Sequence, residues 1–185
     1  MTTLTRADWE QRAQQLKIEG RAFINGEYTA AASNATFECI SPVDGRLLAH
    51  IASCDEADAQ RAVENARATF NSGVWSRMAP AKRKATLIRF AGLLKQNVEE
   101  LALLETLDMG KPISDSLSID VPGAANALSW NGEAIDKVYD EVAATPDDQL
   151  GLVTREPVGG GRGHRAVELP AADVVLEARP GAGHR

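Results

Sequence analysis

At Asp55 the hydrophobic period of the chain changes. Before it, apolar residues come in short runs around tight turns; after it, they recur every three or four residues. The first spacing belongs to strands, whose side chains alternate between faces. The second belongs to helices, whose side chains stack one turn apart. Phe23-Ile24 and Glu27-Tyr28 flank Asn25-Gly26, a two-residue pair that accepts the positive φ angles of a type I′ hairpin. Thr36 to Ile40 and Arg46 to Ala52 flank Ser41-Pro42-Val43-Asp44-Gly45, which carries turn chemistry at nearly every position. Two hairpins are therefore expected ahead of Asp55.

Helices are expected after it. Asp55 is placed to cap a helix that Gly73 stops, with Ala59, Ala62, Val63, Ala66 and Phe70 on one face. Pro80 opens a second helix, with Leu87, Ile88, Ala91 and Leu94 facing inward. Its Lys82, Arg83 and Lys84 read as a solvated basic face. Asn97 with Glu100 caps a third, Val98 to Met109, closed by Gly110 and Pro112. A long segment from Ile113 to Val142 follows, broken at Pro122, with Asp120 capping its second part. Ala124, Leu128, Ile135, Val138 and Val142 form its apolar stripe, and Gly123, Ala127 and Gly132 allow close approach of a neighbour. Upstream, Thr5 and Asp8 resemble a capping box, and Trp9, Ala13 and Leu16 predict a docking helix with a buried tryptophan. Gln149 to Glu156 reads as a last strand.

Composition narrows the function classes. With 44% hydrophobic residues the chain has material for a core, so wholesale disorder is excluded. The net charge of −6 disfavours phosphate backbones, so no nucleic-acid role is expected. No apolar run reaches the ~18 residues of a membrane helix, and the polar start lacks a signal core. Cys39 and Cys54 make neither a disulfide framework nor a metal cluster, which fits a reducing compartment and predicts a cytoplasmic protein.

Local chemistry is sparse. Cys54 stands just before a helix cap, where a thiol can be activated, but no histidine adjoins it in sequence and it reads as inert. Glu99, Glu100, Glu105 and Asp108 are carboxylates of one helix, and solvated or structural roles are expected. Asp108 is the exception, because a carboxylate at a helix C-terminus opposes the dipole and asks for a partner such as a cation or backbone amides. Gly159-Gly160-Gly161-Arg162-Gly163-His164-Arg165 fails as a phosphate loop, lacking Lys-Ser/Thr, and as a dinucleotide fingerprint, because His164 stands where the last glycine belongs. As an RGG-like contact it is short and set on an acidic chain.

Four strings together carry a resemblance. Phe23-Ile24-Asn25-Gly26-Glu27, Ser41 to Gly45, Leu104-Glu105-Thr106-Leu107-Asp108-Met109-Gly110-Lys111-Pro112 and Arg155-Glu156-Pro157-Val158-Gly159 follow in the order and spacing of the aldehyde dehydrogenase superfamily. Ser116-Leu117, Pro122-Gly123-Ala124-Ala125 and Glu133 to Tyr139 look most like the branch acting on γ-glutamyl-γ-aminobutyraldehyde or 4-guanidinobutyraldehyde. The resemblance implies an incomplete α/β fold over residues 1–158. It would hold two hairpins, helices of the cofactor domain, and the first oligomerisation strand, matched by Gln149 to Pro157. It implies NAD or NADP and an aldehyde as partners of the intact enzyme, which would be a homo-oligomer, and no cofactor bound to this chain alone. It places a structural monovalent cation at Asp108 with the backbone of Cys39 and Ile40. It puts Asp120 and Gly123 beside the substrate entrance, where an acidic group favours a cationic tail. No catalytic or cofactor-binding residue carries over.

After Gly159 the resemblance stops. The family continues with PWNFP and then WKLGPALA, and this chain does not. Degenerate codons for Gly163 to Pro170, read one nucleotide on, become GNC AYC GNG CNG TNG ARC TNC CNG, which can encode A-I-V-P-W-N-F-P. The codons from Leu176, shifted likewise, can encode W-K-L-G-P-A-L-A-T. Residues 159–185 are therefore expected to be an out-of-frame, disordered tail, and the chain by itself inactive with exposed apolar faces. The competing expectation is a non-enzymatic helical module that binds a protein partner.

Overall fold

The computed structural model describes residues 4–159. The expected tail, from residue 160 on, lies outside them. Helix α1 (Arg6–Gln15) opens with the reciprocal Thr5–Asp8 capping box. None of its residues is buried: Trp9 is half-buried and stacks on the Arg12 guanidinium at 5.3 Å. An Arg12–Glu99 ion pair at 2.5 Å ties the helix to the body.

Strands β1 (Ala22–Ile24) and β2 (Glu27–Thr29) form the first antiparallel hairpin, turned by Asn25 at φ 56° and Gly26 at φ 80°. Strands β3 (Thr36–Ile40) and β4 (Leu47–Ala52) form the second, with a bulge between Cys39 and Ile40. Ala52 N–H donates to the Gly20 carbonyl at 2.7 Å, so the chain entering β1 lies along β4. A Cβ at Gly20 would sit 2.0 Å from the His50 carbonyl oxygen.

Helix α2 (Glu56–Ser72) starts at the Asp55 cap and ends at Gly73, φ 77°. Of its expected apolar face, Ala59, Ala62, Val63 and Ala66 stay exposed and Phe70 is half-buried. The buried residue is instead Asp58, whose carboxylate accepts from Ala32 N–H at 3.1 Å, Asp55 N–H at 3.2 Å and Arg61 at 2.6 Å. A polar latch, not an apolar one, holds α2 to the loop after β2.

The core lies between α3 (Pro80–Gln96) and α6 (Val121–Ala134), where Leu87, Ala91, Ala124 and Leu128 pack with Leu94, Ala127 and Ile135. Gly132 permits this approach: a Cβ there would lie 3.2 Å from Leu87 Cβ. Lys84 of α3 pairs with Glu133 at 2.7 Å and Asp136 at 2.9 Å, so the basic run is not wholly solvated. Helix α4 (Val98–Met109) has the expected bounds and stop, with Gly110 at φ 74°. Asn97 does not cap it; its amide donates back to the Leu93 carbonyl.

Pro122 does not break the next segment. A short turn, α5 (Ile113–Asp115), leads into a π-turn at Ser116–Asp120 and directly into α6. Val121 N–H donates to the Ser116 carbonyl, five residues back. Proline clashes with the carbonyl four residues before it in an α-helix, and the wider turn accommodates that ring. Asp120 is itself helical and makes no cap hydrogen bond. The expected stripe also ends early. Val138 and Val142 are exposed, and β5 (Glu141–Ala143) pairs with β6 (Gly151–Val153), shorter than the expected last strand.

Candidate functional site

Two short polar clusters meet at the C-terminal end of α4. The first joins α4 to the second hairpin. Gly110 abuts the β3–β4 turn, where a Cβ would lie 2.9 Å from Pro42 Cγ. This brings Asp108 to Cys39: the thiol donates to Asp108 Oδ1 at 3.5 Å. Partial burial, with that carboxylate, pushes the Cys39 thiol above its ordinary value. Asp108 is exposed, and the bulge at Ile40 interrupts the ladder beside it. Among the described residues there is no group of three or more His, Cys, Asp or Glu side chains that would hold a metal ion.

The second cluster is buried. Lys111, just past the helix stop, places Nζ 2.6 Å from Asp120 Oδ2 and 3.4 Å from Glu105 Oε1. Both carboxylates are 6% exposed, so neither draws much on water. Burial raises the Glu105 pKa, with Lys111 opposing. Burial also opposes the Lys111 ammonium, but Asp120 and Glu105 outweigh it and its pKa is raised. Beside this cluster Thr106 and Ser116 share a hydroxyl hydrogen bond at 3.1 Å.

Sequence reasoning singled out Asp108 and treated Glu105 as solvated or structural. The buried carboxylate of α4 is Glu105. The available signal was its place three residues after Ala102, on the buried side of α4, followed by a lysine beyond a glycine stop. Asp120 and Gly123 lie at the junction of the π-turn and α6, the first buried and the second exposed. Asp120 points inward to Lys111; Gly123 is exposed, with open space where a Cβ would go. Ile119, Gly123, Asn126 and Trp130 continue that outer face at helical spacing. Cys54 is remote from all of these, and burial and the neighbouring Asp58 raise its pKa. Neither thiol has the depressed pKa of an activated nucleophile.

A family model described as the aldehyde dehydrogenase family matches residues 28–162. The chain belongs to the aldehyde dehydrogenase family. The NADP/NAD-dependent aldehyde dehydrogenase PuuC of Escherichia coli is 56% identical over 153 residues, 83% of this chain and 31% of its own length. The structure of the P. syringae indole-3-acetaldehyde dehydrogenase AldA with NAD+ superposes with a TM-score of 0.83 at 84% identity, covering 84% of this chain and 32% of that one. The γ-glutamyl-γ-aminobutyraldehyde dehydrogenase of Burkholderia cenocepacia gives 0.83 at 54% identity, covering 84% and 31%. The chain thus spans about a third of the length of these aldehyde dehydrogenases, and the fold it shares with them is incomplete. The family is one of oxidoreductases acting on aldehydes, and relatives bind NAD+.

Proposed function

We propose that this chain is the N-terminal portion of an NAD(P)-dependent enzyme that oxidises an amino- or guanidino-aldehyde to its carboxylate, in polyamine or arginine breakdown. The observation that carries it is the family match over residues 28–162, joined to the names of the Escherichia coli and Burkholderia relatives. A second reading, an aromatic acetaldehyde, is favoured by the 84% identity to the indole-3-acetaldehyde enzyme. The ion pair of Asp120 with Lys111 also favours it, because a neutralised carboxylate attracts a cationic tail weakly.

Asp108 with the Cys39 and Ile40 carbonyls holds a monovalent cation that fixes the hairpin to α4. The face around Gly123 borders the aldehyde's path, with Asp120 behind it. The intact enzyme is a cytoplasmic homo-oligomer to which β6 contributes. No helix among the described residues is long and apolar enough to cross a membrane.

Alone, these 185 residues form no NADH. They lack the family's oxyanion-stabilising PWNFP string, and both thiols have raised pKa values. Residues 159–185 are an out-of-frame tail, and the family match ending at residue 162 supports this. The test is to sequence the gene through the codons for Pro157 to Arg185 and beyond. The chain extended in the shifted frame is then assayed at 340 nm with 4-aminobutyraldehyde, 4-guanidinobutyraldehyde and indole-3-acetaldehyde. A frame spelling PWNFP, with activity only in the extended chain, supports the proposal. A gene that spells it in no frame makes the tail genuine and brings forward the non-enzymatic binding module.

A further inference from the structure

The π-turn is tied to α4 by side-chain hydrogen bonds and ion pairs at its two ends; in the middle Ser118 Oγ donates to the Ser114 carbonyl of the same segment at 2.7 Å. Its first and last residues, Ser116 and Asp120, are the two whose side chains are buried. Ser116 is tied to Thr106 by the shared hydroxyl hydrogen bond, and Asp120 reaches Glu105 through the Lys111 ammonium. Thr106 and Glu105 are consecutive on α4. Two adjacent residues of one helix thus grip the two ends of one turn of another. Between them Leu117 is half-buried, and Ser118 and Ile119 are exposed.

A π-turn holds one more residue than an α-turn, so it sets the rotational phase of α6. Each residue advances an α-helix by about 100°. Were the extra residue released, Ile119 would rotate by about that much relative to Gly123, and the outer face would lose its alignment. In the middle of the turn the Ser118 hydrogen bond is local and only Leu117 is half-buried, so no polar cross-link there prevents this. The grip at its ends does, and Lys111 is its only charged cross-link to α4 among the described residues.

We propose that Lys111 is a positioning residue: with the Thr106–Ser116 pair it locks the π-turn and thereby fixes the face around Gly123 that the aldehyde passes. The second half rests on the dehydrogenase reading above; the first does not.

Amide hydrogen exchange on the full 185-residue chain tests the lock. In Lys111→Met, amides of residues 116–121 are expected to exchange at least about tenfold faster while those of α2 stay unchanged. Lys111→Arg, which keeps the charge, should restore most of the protection, and Thr106→Ala should loosen the same amides. Unchanged exchange, or an even rise along the whole chain, overturns the lock. Positioning is tested in a chimera of residues 1–158 joined to the remaining segment of the P. syringae relative. There Lys111→Met is expected to raise KM for indole-3-acetaldehyde about fivefold or more with kcat within about twofold, reversed by Lys111→Arg. A faster-exchanging turn with unchanged KM overturns the positioning role. A parent chimera that oxidises no aldehyde defeats the dehydrogenase reading and the positioning role with it, and the exchange measurement still decides the lock.

Discussion

Replacing Gly20 by alanine should detach the first hairpin. Gly20 is needed for closeness to β4: the new Cβ would lie 2.0 Å from the His50 carbonyl oxygen and 3.4 Å from Ile51 Cα. Those neighbours are backbone atoms of a paired strand, so no side chain can swing away. The entering chain must retreat by more than an ångström, and that breaks the 2.7 Å bond from Ala52 N–H to the Gly20 carbonyl. Losing one backbone hydrogen bond costs about 1 kcal/mol net, and overpacking a tight contact about 1–3 kcal/mol. The local cost is therefore about 2–4 kcal/mol, or a rise of roughly thirty- to a thousandfold in opening. Native-state hydrogen exchange reads it directly: the Ala52 amide and the β1–β2 amides should speed up while α3 and α6 keep their protection. Gly123→Ala is the control, because nothing lies within 4 Å of its Cβ position. Equal exchange in the Gly20 and Gly123 variants would refute the reasoning.

Three other outcomes are expected of the same structure. Asp55→Ala removes the acceptor for the Ala57 and Asp58 amides and should cost about 1 kcal/mol, read as a lower urea midpoint for α2 helicity. Asp136, held by Lys137 and Lys84, titrates at about 2, below its ordinary 3.8. Lys84, held by Glu133 and Asp136, titrates at about 12, above 10.5. The lowered acid stabilises above about pH 4 and fades toward 2; the raised base stabilises below about pH 10 and fades toward 12. Exchange protection at the α3–α6 seam should therefore be flat between those limits, fall outside them, and in Lys84→Met lose the alkaline fall and keep a smaller acid one, because Lys137 still holds Asp136. Cys39 and Cys54 both have raised pKa values, so iodoacetamide alkylation at pH 7 should be slow and should climb with pH to beyond 9. Rapid labelling of either thiol at neutral pH would contradict their raised pKa values.

The features legible in the sequence are those that local chemistry decides. Asn25-Gly26, Gly73 and Gly110 adopt the positive φ that their turn and stop positions require, and Asp55 caps as its spacing suggests. The features hidden from it depend on partners distant in the chain. Pro122 looks like a breaker because a proline is judged against an α-helix, and a π-turn is not visible in a string of residues. Asp120 looks like a cap until Lys111 is placed against it. The Val63 face of α2 has helical spacing, but among the described residues only Phe70 of it is half-buried and Val63 stays exposed. The motif strings point to the family, but only the fold shows that Lys111 joins two of its carboxylates.

The α3–α6 pair carries a consequence for biosynthesis. Its apolar contacts, its glycine gap and its ion pairs all fall between Pro80 and Asp136. Nothing translated later is required to form them. As the nascent chain leaves the ribosome, this seam is complete once Asp136 has cleared the exit tunnel. Domains tend to form in order of synthesis. Here the seam supplies a folded platform before the β5–β6 hairpin has been made.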